Sequence, residues 1–394
     1  MIKRFCYSAF SNVVKREINR ISKNWILLFT TLIAPAFAYL LIMWIFSAGV
    51  VRNVPVSIVD FDNTSLSRNI VRQIDASPVT EIKYRNASLK DANNLMNKGK
   101  IDAIVLLQDG VEKNIYSGSS SNIAVYINNT NVVKGGIVKS GLYKTLATIS
   151  AGIKVQTYMK KGFTQKQAIA RAVPVNMNTH LLFNPYVNYS YFLTLGLLPL
   201  MAVVFIFLGT VYALGQELKE GTAGELMNIA ENSVTVAIVG KFLPYTLLFF
   251  ANVMFMNFIL FSVLGTPLTG SLLIILFSEL LLIIAYQFLA VLFLNITANM
   301  RLSLSLGSAY TMMALTFSGL TFPTMGMPLI AKIFSWIFPY TFWLKILISQ
   351  SLRNEQIVEI LPQFIVLVVF ILLGLLSFKG MKTKLSNSKY WGRE

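Results

Sequence analysis

The 394 residues are 55% apolar and only 13% charged, about half the roughly 25% charged content of an ordinary globular domain. A net charge of +17 would fit a nucleic-acid binder if it formed one face, but it is split between two short basic ends and one long polar segment. Composition therefore excludes an ordinary soluble domain and nucleic-acid binding, and favours a chain solvated largely by lipid.

In chain order, residues 1–24 carry Lys3, Arg4, Lys15, Arg16, Arg20 and Lys23 against Glu17 alone. Phe5, Phe10, Val13, Val14, Ile18 and Ile21 recur among them at helical spacing. The pattern predicts an amphipathic helix in the membrane interface, its basic face toward anionic lipid headgroups or toward a cytoplasmic partner. Six apolar runs follow: Trp25–Ala48, Tyr191–Leu214, Ala237–Leu264, Ser271–Leu294, Leu302–Leu320 and Leu361–Phe378. Each approaches the ~20 residues that cross a ~30 Å hydrocarbon layer. Ala34-Pro35-Ala36 resembles a signal cleavage site, but the run continues through Phe46, so it reads as an anchor.

Basic residues close to a span stay cytoplasmic. The last 16 residues carry Lys379, Lys382, Lys384, Lys389 and Arg393 against Glu394, so both termini are expected inside, as an even number of spans requires. Residues 49–190 then face outward. Their 17 Lys and Arg, from Arg52 to Arg171, do not oppose this, because long domains translocate largely regardless of charge. Cys6 is the only cysteine, so no disulfide staples this segment.

The outward segment reads as α/β. Val54–Val59 is a short strand ending at Asp60, and Asn63-Thr64-Ser65 supplies the N-cap for a helix over Leu66–Ile74. Ile82–Tyr84, Ile101–Leu107 and Ile123–Ile127 are further strands, with a helix at Ser88–Asn97 and a long helical pattern from Val132 to Met159. Alternating strands and helices predict a sheet with helices packed on it. Asp60 and Asp62, two residues apart and without His or Cys, read as a strand-to-helix turn.

Residues 191–378 form the membrane half, with a cytoplasmic segment at 215–232, and the basic tail is 379–394. The segment Gln216–Met227 clusters Glu217, Lys219, Glu220 and Glu225 around apolar Leu218, Leu226 and Met227, with Gly221 and Gly224 free to turn or approach a backbone. It reads either as a solvated loop or as a short helix pressed against a partner. Glu279 falls about eight residues into the fourth run, where an ionisable group is costly unless paired or wet, so it is a candidate polar site. Pro35, Pro199 and Pro244 lie within spans and should kink them. Between runs five and six, at 321–343, Pro323, Pro328 and Pro339 bound an apolar stretch too short to cross, which predicts a re-entrant element. Trp336, Tyr340, Phe342 and Trp343 suit an interfacial aromatic belt.

Catalytic motifs are missing. Gly240-Lys241 lacks the upstream glycine and following hydroxyl of a phosphate loop, the single His180 cannot build a metal site, and no nucleophile elbow occurs. The energy for any transport must come from a gradient or another chain.

Four stretches carry a family resemblance: Val54–Ser67, Phe183-Asn184-Pro185, Glu217-Leu218-Lys219-Glu220-Gly221-Thr222, and Phe317-Ser318-Gly319-Leu320-Thr321-Phe322-Pro323 followed by Met327-Pro328. In order, they resemble the outer-domain opening, the junction before span two, the cytoplasmic coupling segment and the outer re-entrant hairpin of permease subunits of type-2 ABC exporters. The subfamily is the one with a large outer domain after the first span. Lys219 departs from the usual arginine, which loses a bidentate fork, and Gly224 interrupts the run that follows.

The resemblance implies a six-helix permease in the bacterial inner membrane with an α/β extracytoplasmic domain and no ATPase site of its own. Glu217, Lys219, Glu220, Gly221, Thr222 and Glu225 would couple it to a cytoplasmic ATPase holding ATP and Mg. Ser318, Gly319, Pro323, Met327 and Pro328 would form the outer hairpin. A second permease copy or paralogue would complete a dimer that exports amphipathic molecules or lipids, and such members often work beside a periplasmic adaptor. The alternative is a gradient-driven carrier using Glu279, which would need several buried ionisable groups and an inverted repeat.

Overall fold

The computed structural model describes residues 2–175, 179–185 and 187–392, with side chains from Ser8 onward. The Phe5 and Cys6 side chains and the tail residues Arg393 and Glu394 lie outside the described residues. The chain divides into two compact units, one formed by Met1–Gly49 with Leu181–Glu394 and the other by Val50–His180.

The Val50–His180 unit is a four-stranded sheet of β1 (Val54–Asp60), β2 (Thr80–Asn86), β3 (Ala103–Leu107) and β4 (Ile123–Ile127) in the order β2-β1-β3-β4. β1 runs parallel to both β2 and β3, and β4 closes the edge antiparallel to β3. Central β1 and β3 read as continuous apolar runs because both faces are covered. Val54, Val56, Ile58 and Val105 pack on Ile70, Val71, Ile74, Val138 and Leu142. Val59, Ile104 and Leu106 pack on the opposite side with Ala92 and Ile101.

Helix Ser65–Asp75 starts in a capping box, in which Thr64 accepts from the Ser67 amide and Ser67 Oγ accepts from the Thr64 amide. Asp60 Oδ1 accepts the amides of Asp62 and Asn63 at 3.0 and 3.1 Å, and Asp62 Oδ2 accepts Thr64 Oγ1 at 2.6 Å. Both aspartates are thus consumed in the strand-to-helix turn that their spacing predicted.

In the other unit, five helices are long and apolar enough to cross a membrane: Trp25–Ile45, Tyr189–Lys219, Val234–Val263, Leu272–Thr297 and Ile357–Ser386. These are the first, second, third, fourth and sixth spans of the sequence reading. The fifth is a helix, Met300–Phe317, but Arg301 and a run of Ser and Thr dilute its apolar character. Beyond it lies a bent pair, Leu329–Ser335 and Pro339–Arg353, with axes 84° apart. The second arm of that pair continues past residue 343, the end of the expected re-entrant segment, to Arg353.

The second and fourth spans are mostly buried, whereas the first and sixth are mostly exposed, so the former make the centre of this helical unit. Tyr189–Lys219 would be roughly 46 Å long at ~1.5 Å per residue, well beyond the ~30 Å hydrocarbon layer. Its last turns can therefore carry charge outside the apolar zone.

Aromatic residues fill the interior rather than a belt. Tyr340 and Trp343 are buried, as is Phe342, and only Trp336 is exposed. Their polar atoms are used inside: Tyr340 Oη donates to the Gly196 carbonyl at 2.6 Å and Trp343 Nε1 to Ser278 Oγ at 3.0 Å. The belt expectation fails for Tyr340 and Trp343 because internal partners satisfy the groups that would otherwise seek the interface, and Phe342, which has no such group, is simply buried.

Close helix approach depends on missing side chains. A Cβ on Gly374 would lie 2.4 Å from Phe288 Cβ and 2.8 Å from its carbonyl carbon, so backbone would have to move. Gly374→Ala should therefore separate the fourth and sixth spans at a cost of about 1–3 kcal/mol, lowering the thermal midpoint in detergent by several degrees. Gly152→Ala, which meets nothing within 4 Å, should not lower it. An unchanged midpoint for Gly374→Ala would refute this packing.

Candidate functional site

The second-span helix ends where Gly221, at φ +74°, takes the left-handed conformation that a residue without Cβ adopts freely just past a helix terminus. The last turns before it hold Glu217, and Glu220 follows as the cap. Carboxylates at a helix C-terminus oppose the helix dipole, so they require cations from elsewhere. The N-terminal helix Ile2–Lys23 and the start of the third span provide them.

Glu217 is fully buried and is the hub. Its Oε1 receives Arg16 Nη1 at 2.8 Å, Arg20 Nη1 at 2.6 Å and Lys241 Nζ at 2.9 Å. Its Oε2 receives Arg16 Nη2 at 3.1 Å and the Thr222 hydroxyl. Lys241, itself fully buried, also donates to Glu17 Oε2 at 2.7 Å, and Tyr245 Oη donates to Glu17 Oε1 at 2.7 Å. At the exposed edge, Arg20 Nη2 reaches Glu220 at 2.7 Å and Arg16 Nε reaches Glu225 at 3.2 Å. Burial pulls the Arg16 guanidinium down, but hydrogen bonds and charge from Glu217 and Glu225 outweigh it and hold Arg16 above its ordinary value.

Four anions and three cations thus meet between four helices, the fourth being the short Ala223–Ile229 that carries Glu225, and each buried charge has a partner, the condition under which burial is tolerated. The N-terminal helix presents Ala9, Val13, Glu17 and Ile21 inward, a four-residue spacing that forms one stripe. Gly240 admits this stripe, since a Cβ there would stand 3.0 Å from Val13 Cγ1. Arg16 and Arg20 therefore do not face lipid headgroups as the amphipathic reading had it, because Glu217 draws them inward. Lys15 and Lys23 remain exposed.

Of the sequence candidates, Glu217, Glu220, Thr222 and Glu225 come together here, Gly221 makes the turn, and Lys219 is exposed. Sequence reasoning missed Arg16, Glu17, Arg20, Lys241 and Tyr245 as members. Two signals were available: Glu17 as the single acid among six basic residues, and Lys241 as a lone charge in the third apolar run.

Gly224 acquires a role. Its missing side chain makes room for Trp391, whose Cη2 would lie 2.6 Å from a Cβ. The Gly392 amide donates to the Leu218 carbonyl at 2.9 Å, satisfying one of the helix-end acceptors that lack intrahelical donors. Trp391 Nε1 donates to the Lys384 carbonyl at 3.2 Å. The C-terminal tail is therefore seated on the 215–232 segment.

The remaining candidates lie apart from this network. Glu279 is buried and accepts one hydrogen bond, from Asn257 Nδ2 at 2.9 Å, while its Oε1 has no hydrogen-bond partner. It borders a small cavity with Pro199, Met256, Leu282 and Trp343. Gly319 turns at φ +88°, Ser318 Oγ bridges the Leu315 carbonyl and the Leu320 amide, and Met327 is buried between Pro323 and Pro328. Among the described residues no group of three or more His, Cys, Asp or Glu is placed to hold a metal ion.

A family profile described as ABC-2 family transporter protein matches residues 25–378. This chain belongs to that family. It is also 25% identical over 215 residues to the Escherichia coli K12 protein named "Probable multidrug ABC transporter permease YbhS", and equally to its counterpart in Escherichia coli O157:H7. The match covers 53% of this chain and 55% of each relative, so the chain spans about half the length of the curated relatives it matches. An ABC-2 family transporter is a multipass membrane protein, and the five long apolar helices accord with that.

Two outcomes test the site. Lys241→Met leaves Glu17 with only Tyr245 and Arg16, the latter at 3.8 Å, and Glu217 one cation short, and breaking a buried pair costs about 3–5 kcal/mol. Adding Glu17→Leu to Lys241→Met should recover part of that loss, with a coupling of about 0.5–3 kcal/mol in a double-mutant cycle of thermal unfolding. Additive losses would mean that the two residues do not interact. Separately, Trp391→Ala and Gly224→Leu should each release the tail, read as faster tryptic removal of residues beyond Lys384 with the spans intact. Unchanged cleavage would contradict the seating.

Proposed function

We propose that this chain is the permease subunit of an ATP-driven exporter in a bacterial inner membrane, powered by a separate cytoplasmic ATPase. The observation that carries this reading is the ion network. It joins the 215–232 segment, exposed at Glu220 and Glu225, to the N-terminal helix and the third span, so a push on Glu220 or Glu225 reaches both through Glu217, Arg16, Arg20 and Lys241. Family membership implies association with ATP-binding subunits, where ATP and Mg would bind.

In this reading Met300–Phe317 is a sixth span, the bent pair after it is an outer re-entrant hairpin, and both termini are cytoplasmic. The Val50–His180 unit is then extracytoplasmic. Two permease copies or paralogues pair, with a periplasmic adaptor as a further partner. The printed name of the relatives, a multidrug permease, and the aromatic, Met-rich spans support an amphipathic small molecule or lipid as cargo. Family membership leaves the gradient-driven alternative without support. Glu279 then serves as a polar contact within the helical bundle.

Glu220→Arg places a cation against Arg20, and Gly221→Pro forces a ring onto a backbone at φ +74°, a conformation proline cannot adopt. Both variants should abolish export and the stimulation of the partner's ATP hydrolysis while the spans stay folded. Full transport by both would overturn the coupling role.

A further inference from the structure

We propose that the Val50–His180 unit carries a binding site for a small amphipathic anion. The site is a cavity of about 630 Å³ between the C-terminal half of helix Val132–Lys160, helix Gln165–Ala172 and the Gly118–Ser121 loop. That volume falls within the ~300–1,000 Å³ of small-molecule sites.

Its floor is apolar and continuous with the core of the unit. Ile70 and Ile149 are buried core residues, and Ile115, Ile123, Leu146 and Ile153 pack against them while also lining the cavity. Leu146, Ile149 and Ile153 repeat at three and four residues, the spacing of one helix face. The same face then turns polar through Lys154, Thr157, Tyr158 and Lys161, and Arg171 closes the opposite wall.

The charge on this rim is uncompensated. No carboxylate lines the cavity, and from Lys113 to Gln216 the sequence contains no Asp or Glu at all. Lys134 finds its acid on the sheet side, in Asp102 at 2.6 Å. The Lys154 and Lys161 ammonium groups have no hydrogen bond or ion pair among the described residues, and both residues are exposed. Arg171 stacks on the Phe163 ring at 4.2 Å, which leaves the guanidinium edge open to an acceptor.

Three cations around one concave, low-dielectric surface focus a positive potential. A neutral apolar molecule would use the floor and gain nothing from the rim, and a cationic one would be repelled. A carboxylate, sulfate or sulfonate attached to an apolar body meets both halves of the site. The Ser119, Ser120 and Ser121 loop adds neutral donors beside the cations, which suits recognition of oxyanion oxygens.

Binding is measured without any ATPase, so it stands or falls independently of the export proposal. The full chain in phosphatidylcholine nanodiscs is equilibrated with labelled dodecyl sulfate or dodecyltrimethylammonium below their micelle thresholds, with empty nanodiscs as the blank. Dodecyl sulfate should bind near one per chain above the blank and slow amide exchange within residues 146–161. The cation should show no excess. The double reversal Lys154→Glu/Lys161→Glu should weaken the anion about tenfold, equivalent to about 1.4 kcal/mol, and Ile153→Trp should fill the floor and remove binding while circular dichroism is unchanged. Equal excess of the cation, no excess of the anion, or anion binding untouched by both variants would overturn the site.

Discussion

A carboxylate at the wrong end of a helix sets the terms for this protein. Glu217 sits near the C-terminus of the second span, where the backbone already presents negative charge, and it is fully buried. It cannot remain there alone. Arg16, Arg20 and Lys241 answer it from two other helices, and Glu17 answers Lys241 in turn. Lys241 is in turn a fully buried cation on the third span, and a lone buried charge of either sign is costly. Glu217 and Lys241 are tolerable there only against their partners. Three elements distant in sequence are therefore held to one arrangement.

That arrangement is why a short surface segment can matter to a membrane-embedded bundle. The charges grade from buried Glu217 and Lys241 to exposed Glu220 and Glu225, so the network has an inside anchor and an outside handle. The N-terminal helix is locked by its Glu17 stripe, and the tail closes over the same segment through Trp391 and Gly392. Behind the network, helices pack with side chains removed at close contacts: Gly307 of the fifth helix lies against the Phe207 ring of the second span, and Gly374 of the sixth span against Phe288 of the fourth. A bundle packed this tightly moves by shifting whole helices rather than by local yielding.

Much of the fold was legible because its signals are local. Apolar run length marked the spans, and short apolar strands with the N-cap at Asn63-Thr64-Ser65 marked the α/β unit. The turn at Asp60 followed from short polar residues between a strand and a helix. The candidate site was half legible. Glu217, Glu220, Thr222 and Glu225 lie in one short stretch, but Arg16 and Arg20 are about 200 positions earlier in the chain and Lys241 is 24 positions later, and no spacing rule reaches that far. Arg16 and Arg20 looked like lipid-facing charge because an amphipathic helix gives no sign of which face a later acid will claim. Tyr340 and Trp343 looked interfacial because sequence shows their polar atoms and not the Gly196 carbonyl or the Ser278 hydroxyl that satisfies them. The role of Gly224 was unreadable for the same reason, since Trp391 meets it only in three dimensions.

The proposed coupling requires that the N-terminal helix and the 215–232 segment travel as one body when an ATPase partner closes. Spin labels on exposed Lys15→Cys and Lys219→Cys, in a Cys6→Ser background, report their separation by pulsed electron paramagnetic resonance in the complex reconstituted with that ATPase. The account predicts one narrow distance distribution, the same without nucleotide and with ATP trapped. A separation between Lys15 and Lys219 that widens or splits when ATP is trapped would contradict it.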